Sequence, residues 1–219
     1  LTSVSDRPIW VVASYFYAWP WRRVAVPVAE QKVYLAQIAA HGLAVALAGG
    51  AIAAGTGRGD TNALAVAQHR AGADAVQLFD TWAGLLPVED WKRLVRPHLA
   101  ALLEELGRAG VPRILFVQDA PHLVGLYAGL PAEALAVDWR LDLGALRERL
   151  GTGKALQGNL DPAVLLAGPQ VTRAAARELL RRVPPKGHIV NLGHGIMPET
   201  SIASVEALVS VVHEEEIHS

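Results

Sequence analysis

From about residue 70 onward, short apolar runs alternate with longer amphipathic ones, and this alternation restricts the fold more than any other feature. Repeated β-then-α units predict a parallel sheet with helical crossovers. The strands are almost uniformly apolar, as strands buried on both faces must be. A doubly wound sheet and a (β/α)8 barrel both fit this pattern. The predicted strands are 75–79, 113–117, 134–137, 155–157 and 188–191, and the helices that follow them are 88–108, 121–130, 143–150, 171–183 and 204–212.

Polar residues follow every one of these predicted strands. In a (β/α)8 barrel, catalytic groups lie at the C-terminal strand ends and converge on one mouth. The alternative is that Asp or Asn at a strand end caps the next helix. No Gly-rich phosphate loop follows the first of the five strands, so the set as a whole favours the barrel. The polar residues are Asp80 and Thr81, Gln118 and Asp119, Asp138, Asn159 and Asp161, and Asn191 and His194.

The first 65 residues show a less regular pattern. Segment 55–59 (Gly-Thr-Gly-Arg-Gly) superficially resembles a phosphate cradle, but we expect no strand–loop–helix context with a following Lys-Ser/Thr. We predict one α/β domain over residues 1–219, a (β/α)8 TIM barrel. Such barrels usually need about 250 residues. The N-terminal third is therefore expected to be incomplete or to lack loops.

Composition excludes several classes of protein. A chain of 219 residues that is 52% hydrophobic can bury one substantial core. Its net charge of -1 provides no bulk attraction to nucleic acid or to an acidic membrane surface. The absence of cysteine excludes disulfides, thiolate metal sites and a cysteine nucleophile. The longest apolar run, 43–54, is too short to cross a bilayer, and a cytoplasmic location is expected.

Three segments together resemble the uroporphyrinogen decarboxylase family. They are Ala-Gly-Ala-Asp-Ala-Val-Gln-Leu-Phe-Asp-Thr-Trp-Ala-Gly at 71–84, Leu-Gln-Gly-Asn-Leu-Asp-Pro at 156–162, and Asn-Leu-Gly-His-Gly-Ile at 191–196 with Pro-Glu-Thr at 198–200. They occur in the family's order and approximate spacing, and Val-Asp-Trp at 137–139 also fits. The resemblance covers about residues 65–213.

The resemblance implies a homodimeric barrel that converts uroporphyrinogen III to coproporphyrinogen III without a metal or other cofactor. Loss of CO2 from an acetate requires an electron sink, which a pyrrole protonated at the ring carbon bearing that acetate supplies. The enzyme then has to provide an acid, hold the pyrrole N–H groups and bind many carboxylates. The implied partner is a tetrapyrrole substrate, with no nucleic acid and no membrane.

The resemblance also assigns roles to individual residues. His194 is expected to hydrogen-bond a substrate carboxylate, and Gly193 beside it to let the backbone approach a flat macrocycle. Thr81 matches a hydroxyl residue that contacts substrate, and Phe79 matches an apolar wall residue; a helix cap and core packing are the alternatives. In the N-terminal part, Tyr15 resembles an active-site tyrosine. Asp6 resembles the carboxylate that gathers the pyrrole N–H groups.

One departure from the family pattern leaves another function open. The family's paired-arginine motif, Arg-Gln-Ala-Gly-Arg, is absent, although its arginines bind substrate carboxylates and are candidate proton donors. A tetrapyrrole-binding relative with impaired catalysis is therefore the main alternative. Zinc-dependent methyltransferases share the barrel, but their metal requires thiolate ligands that this chain does not contain.

Overall fold

A computed structural model describes residues 43–47 and 58–216, apart from Trp82. The predicted site residues Asp6 and Tyr15 lie outside the described residues, as do residues 48–57. Among the residues described, no helix is both long enough and apolar enough to cross a membrane.

Strands and helices alternate throughout the described chain. The strands are β1 (Leu43–Leu47), β2 (Ala75–Asp80), β3 (Arg113–Val117), β4 (Ala134–Ala136), β5 (Ala155–Gln157) and β6 (His188–Ile189). The helices are α1 (Arg58–Arg70), α2 (Val88–Leu94), α3 (Arg96–Arg108), α4 (Val124–Tyr127), α5 (Leu143–Leu150), α6 (Ala163–Leu166), α7 (Pro169–Arg182) and α8 (Ile202–Glu216), with 3₁₀ turns at Ala83–Leu85 and Pro121–Leu123.

The described strands belong to one sheet whose order, β1-β2-β3-β4-β5-β6, follows the chain. The pairs β1–β2, β2–β3 and β5–β6 are parallel. A doubly wound sheet reverses its strand order at a switch point, and these six strands show no reversal. The order is therefore that of a barrel, as the polar strand ends and the family resemblance predicted.

The chain divides into two compact units. In the unit ending at Leu135, β2 and β3 pair so that Leu78 lies beside Leu115 and Phe79 beside Phe116. The Arg113 guanidinium donates to the Leu103 carbonyl of α3, which identifies the face of β3 that α3 covers. Because successive side chains alternate between faces, Leu78 and Leu115 share the face of Arg113, and Phe79 and Phe116 point to the opposite face.

Within this unit, Arg113 also holds Glu133, the residue before β4. It donates to Glu133 through its backbone N–H (2.7 Å), its Nε (3.0 Å) and its Nη2. Partial burial alone would raise the pKa of the Glu133 carboxyl, but the hydrogen bonds and charge of Arg113 outweigh it and hold that pKa below its ordinary value. The pair stabilises a strand of only three residues.

In the unit beginning at Ala136, α7 and α8 cover an apolar cluster. Its buried members are Leu160, Leu165, Ala176, Val190, Leu208, Val211 and Val212. Arg147 of α5 is only 5% exposed and donates to the carbonyls of Gly151 (2.8 Å), Lys154 (2.8 Å) and Gly187 (2.6 Å). Burial lowers the pKa of the Arg147 guanidinium. This side chain ties the end of α5 to the segments leading into β5 and β6.

The structure corrects the predicted elements at several points. The helix predicted over 88–108 is two helices that meet at Val95, because Pro97 at the start of α3 lacks the N–H that a continuous helix requires. The helix predicted over 121–130 is a 3₁₀ turn followed by α4. β1 and α1 were not predicted. α1 includes the last two residues of segment 55–59 and β1 precedes the segment, a strand and a helix that we did not expect there, and no Lys-Ser/Thr follows.

Candidate active site

In the first unit, Phe79 and Phe116 lie side by side near the C-terminal ends of β2 and β3. Their ring centroids are 5.5 Å apart, with an angle of 68° between the ring planes. This edge-to-face arrangement is one that aromatic pairs prefer. Phe79 is half-buried, so it supports the neighbouring ring while keeping part of its own surface accessible. That is compatible with the predicted apolar wall, which remains a prediction.

Asp80 and Thr81 follow β2 and have different environments. Asp80 is buried, its Oδ1 accepts the Ala83 backbone N–H at 3.1 Å, and its carbonyl accepts the Gln118 N–H at 2.9 Å. The carboxylate therefore caps the turn that follows the strand, as the capping alternative predicts for a strand-end Asp. Thr81 is exposed, and its predicted contact with substrate stays a prediction.

The loop after β3 packs closely on the loop after β2. A Cβ on Gly84 would lie 2.6 Å from the backbone carbon of Asp119, so only glycine fits there. Asp119 itself has φ 52°, a left-handed conformation that is uncommon for residues other than glycine. The exposed Asp119 side chain is thus held at the end of β3 by a constrained backbone.

In the second unit, the loops after β5 and β6 pair with each other beyond the strands. The Leu160 N–H donates to the Asn191 carbonyl at 3.1 Å, and the Gly193 N–H donates to the Leu160 carbonyl at 2.8 Å. The Leu192 N–H donates to the Asn191 side chain at 2.8 Å. This continued pairing carries the chain in a defined conformation as far as His194, the exposed residue of the turn.

Gly193 lies against the backbone of the loop after β4. A Cβ at this position would be 2.7 Å from the Cα of Trp139. The His194 ring stacks near the Trp139 indole, with centroids 6.0 Å apart and planes 29° apart. Gly193 is buried, so the structure accounts for this glycine by the approach of two loops. Its predicted contact with substrate stays a prediction.

The loop after β4 is held by Asp138, Arg140 and Asn159. Asp138 is 2% exposed and accepts Arg140 Nη1 at both oxygens, at 3.0 and 2.9 Å, and the Arg140 backbone N–H at 3.0 Å. Asn159 donates to the carbonyls of Asp138 (2.9 Å) and Leu141 (2.7 Å). Neither polar side chain caps the next helix through these bonds. They fix the shape of the loop that carries Trp139.

Sequence reasoning missed Arg140 and gave Trp139 no role. Arg140 places its Cζ 3.9 Å from the centre of the Trp139 ring, a cation–π contact. The available signal was an Arg two residues after an Asp that itself follows a buried strand, a spacing that permits an ion pair inside the loop. The stacking of Trp139 with His194 joins residues 55 positions apart (194 − 139) and had no local signal.

A cavity of about 240 Å³ lies beside Trp139 and Asn159 and is also lined by residues of α7. The Arg182–Asp142 ion pair is part of its wall. The pKa of the Asp142 carboxyl lies below its ordinary value. The main cause is the hydrogen bond from the Ala145 backbone N–H, and the charge of Arg182 contributes less. Pockets for drug-sized ligands usually measure about 300–1,000 Å³, so this cavity is smaller than such pockets.

The side chain of His194 offers hydrogen bonding to a small molecule. Within the described ranges, no three His, Asp or Glu side chains gather in a group suited to a metal ion. An exposed imidazole donates or accepts a hydrogen bond according to its tautomer. The turn of His194 can therefore engage a carboxylate or another polar group of a small molecule.

Residues 61–215 match the family described as uroporphyrinogen decarboxylase (URO-D). The uroporphyrinogen decarboxylase of Nocardia farcinica is 46% identical over 160 residues, covering 70% of this chain and 45% of that protein. The uroporphyrinogen decarboxylase of Streptomyces coelicolor is 44% identical over 156 residues, covering 71% of this chain and 44% of that protein. The chain thus spans less than half the length of the curated relatives it matches.

A solved structure also resembles the chain. A methyltransferase from Methanosarcina mazei superposes with a TM-score of 0.63 at 23% sequence identity, covering 73% of this chain and 47% of that chain. At this identity the likeness concerns the fold alone.

Proposed function

Because the chain belongs to the uroporphyrinogen decarboxylase family, we propose that it removes CO2 from the four acetate side chains of uroporphyrinogen III, giving coproporphyrinogen III. Residues 61–215 carry the family match. The parallel sheet in chain order agrees with the (β/α)8 barrel of that family, so the predicted fold class is confirmed. All three segments that carry the sequence resemblance fall within the matched range.

The observation that carries the proposal is the position of His194. It is exposed in a turn that pairs with the loop after β5 and packs on the loop after β4. The loops after three strands of one unit thus hold the His194 imidazole in an exposed position, as expected for a functional group at a barrel mouth. In the proposed reaction His194 hydrogen-bonds a substrate carboxylate.

The proposed chemistry uses the substrate as its own electron sink. A proton adds to the pyrrole carbon that bears the acetate, the bond between the methylene and the carboxylate breaks, and its electron pair moves into the protonated ring. Protonation of the methylene carbon and loss of the ring proton leave a methyl group. Each acetate therefore consumes one proton and releases one CO2, and no cofactor is needed.

The other predicted residues complete the proposed site. Phe79 forms an apolar wall and Thr81 contacts the substrate through its hydroxyl. Asp6 gathers the pyrrole N–H groups and Tyr15 lies in the active site; both are proposals from sequence alone. We also propose that the chain forms a homodimer, and sedimentation equilibrium of the purified chain tests this. The proposed location is the cytoplasm, with no nucleic-acid or membrane partner.

Substitution of His194 tests the proposal. His194→Ala is expected to raise the KM for uroporphyrinogen, because a hydrogen bond to a charged group contributes about 1.5–3 kcal/mol, or about 10- to 150-fold. His98→Ala on α3 is the matched control and should leave the KM unchanged. The measurement is the rate of CO2-releasing turnover under anaerobic conditions.

If His194→Ala and His98→Ala changed the KM equally, His194 would not be a substrate-binding residue. Tight porphyrin binding without turnover in the unsubstituted chain would favour the alternative, a tetrapyrrole-binding relative. The absence of the Arg-Gln-Ala-Gly-Arg motif is the observation behind that alternative.

A further inference from the structure

We infer that Trp139 is a positioning residue that sets the orientation of the His194 imidazole, and that the Arg140–Asp138 ion pair clamps Trp139 in turn. This inference rests on the proposed function, because it concerns how His194 meets a substrate carboxylate. It assigns a role to two residues, Trp139 and Arg140, that the sequence did not single out for one.

The first step is the contact between backbones. Gly193 leaves no room for a Cβ against the Trp139 backbone. The peptide before His194 is therefore fixed relative to the peptide that carries the indole. The Gly193 N–H is at the same time engaged by the Leu160 carbonyl at 2.8 Å. Any change in the loop after β4 is thus transmitted to the turn of His194.

The second step is the contact between rings. An exposed histidine rotates about two side-chain bonds, so an isolated imidazole would adopt several orientations. The Trp139 indole lies 6.0 Å from the imidazole, centroid to centroid, with 29° between the planes. That separation is within the range of stacked aromatic pairs. The indole therefore favours the imidazole orientations that stack on it.

The third step is the clamp on the indole. Arg140 lies over the Trp139 ring at 3.9 Å, while its Nη1 binds both oxygens of Asp138. Asp138 is almost fully buried, whereas the Arg140 side chain is 43% exposed. A buried carboxylate makes a rigid anchor because its loss of hydration has to be compensated by fixed partners. Asn159, bonded to the Asp138 and Leu141 carbonyls, closes the loop around this anchor.

A double-mutant cycle tests the inference in the complete chain. Trp139→Leu is expected to raise the KM for uroporphyrinogen about 2- to 10-fold, the range of an aromatic pair. In the His194→Ala background the same change should have no further effect, because a positioning residue acts only through the group it positions. Trp139→Phe, which keeps an aromatic ring, should restore most of the affinity.

A second measurement does not depend on turnover. In the substrate-free chain, Trp139→Leu should shift the His194 ring proton resonances in the NMR spectrum, since the indole ring current is removed; the signals lost in His194→Ala identify them. Arg140→Gln should shift the same resonances. Arg182→Gln is the matched control, since Arg182 forms a neighbouring ion pair with Asp142 and is 48% exposed, and it should not shift them.

Either of two outcomes overturns the inference. One is an equal loss from Trp139→Leu in both backgrounds; the other is His194 resonances that do not respond to Trp139→Leu or Arg140→Gln. If the unsubstituted chain shows no turnover, the proposed function fails, while the resonances still decide whether Trp139 and Arg140 orient His194.

Discussion

At the scale of single residues, Gly193 has the most restricted surroundings in the candidate site. The Trp139 backbone occupies the space that a side chain would need. Because backbone atoms on both sides are held by hydrogen bonds, the clash cannot be relieved by rotating a side chain. Even the smallest addition at this position should displace the turn that carries His194.

Gly193→Ala is predicted to destabilise the chain by about 1–3 kcal/mol, the usual cost of overpacking, and to raise the KM for substrate. Gly153→Ala is the matched control, because a Cβ there meets nothing within 4 Å. Chemical denaturation and anaerobic kinetics measure the two effects. Indistinguishable results for the two variants would mean that the loops after β4 and β6 separate easily.

The site also shows which residue roles the sequence could supply. Asp80 follows a buried strand and precedes a turn, so its capping role depends on neighbours in sequence and could be foreseen. Asp138 occupies an equivalent position but binds Arg140, and Asn159 bonds to two carbonyls about 20 residues away. Such contacts are set by how the loops fold together, which local patterns do not encode.

At the scale of elements, Arg147 connects three chain segments through one guanidinium. It bonds the carbonyls of Gly151, Lys154 and Gly187, which precede β5 and β6. These strands have only three and two residues, so their own ladder hydrogen bonds are few. The placement of both strands therefore depends on this side chain.

Arg147→Ala should lower the free energy of unfolding by about 3 kcal/mol or more, because it removes three hydrogen bonds from a buried charged group, each contributing about 1.5–3 kcal/mol. Arg149→Ala, an exposed position on the same helix, should change it by less than about 0.5 kcal/mol. Urea unfolding followed by circular dichroism gives both values. A small effect of Arg147→Ala would show that water replaces the guanidinium at these carbonyls.

The Glu133–Arg113 pair makes part of the stability depend on pH. The folded-state pKa of Glu133 lies below its ordinary value of 4.5. The stability that the ionised Glu133 contributes is therefore fully present above pH 4.5 and is lost as the pH falls through the lowered folded-state pKa. Glu133→Gln should thus be less stable than the unsubstituted chain at pH 7, by about 1 kcal/mol for a half-exposed carboxylate, and the difference should narrow below about pH 4.5.

Glu89→Gln is the control for this pH dependence. Glu89 forms an exposed pair with Lys92 within α2, and its side chain is 82% exposed. Its substitution should change stability little at either pH. A difference for Glu133→Gln that stays constant from pH 7 to pH 3 would contradict the role given to Arg113.

The elements themselves were foreseen to different degrees. α5 and β5 have the predicted bounds, since apolar periodicity and the glycines around them define both. The break at Val95 was missed because the apolar residues of the buried face keep their helical spacing on both sides of Pro97. α1 was missed because Arg58–Arg70 carries little apolar periodicity and depends on packing against α3.

At the scale of the whole molecule, sequential strand order separates a barrel from a doubly wound sheet. Local sequence patterns predict strands but not their neighbours. The polar strand ends and the family resemblance nevertheless predicted the barrel, and the strand order confirms it. The family match over residues 61–215 then connects the fold to a chemistry. The decarboxylation of a tetrapyrrole is the function that we propose on the basis of both.

Product analysis tests this claim most directly. The purified chain is incubated anaerobically with uroporphyrinogen III, and the products are oxidised and separated by chromatography. We predict porphyrins with seven, six, five and four carboxylates that accumulate over time. Unchanged eight-carboxylate uroporphyrin after prolonged incubation, with the chain still folded and still binding porphyrin, would contradict the claim and identify the chain as a binder.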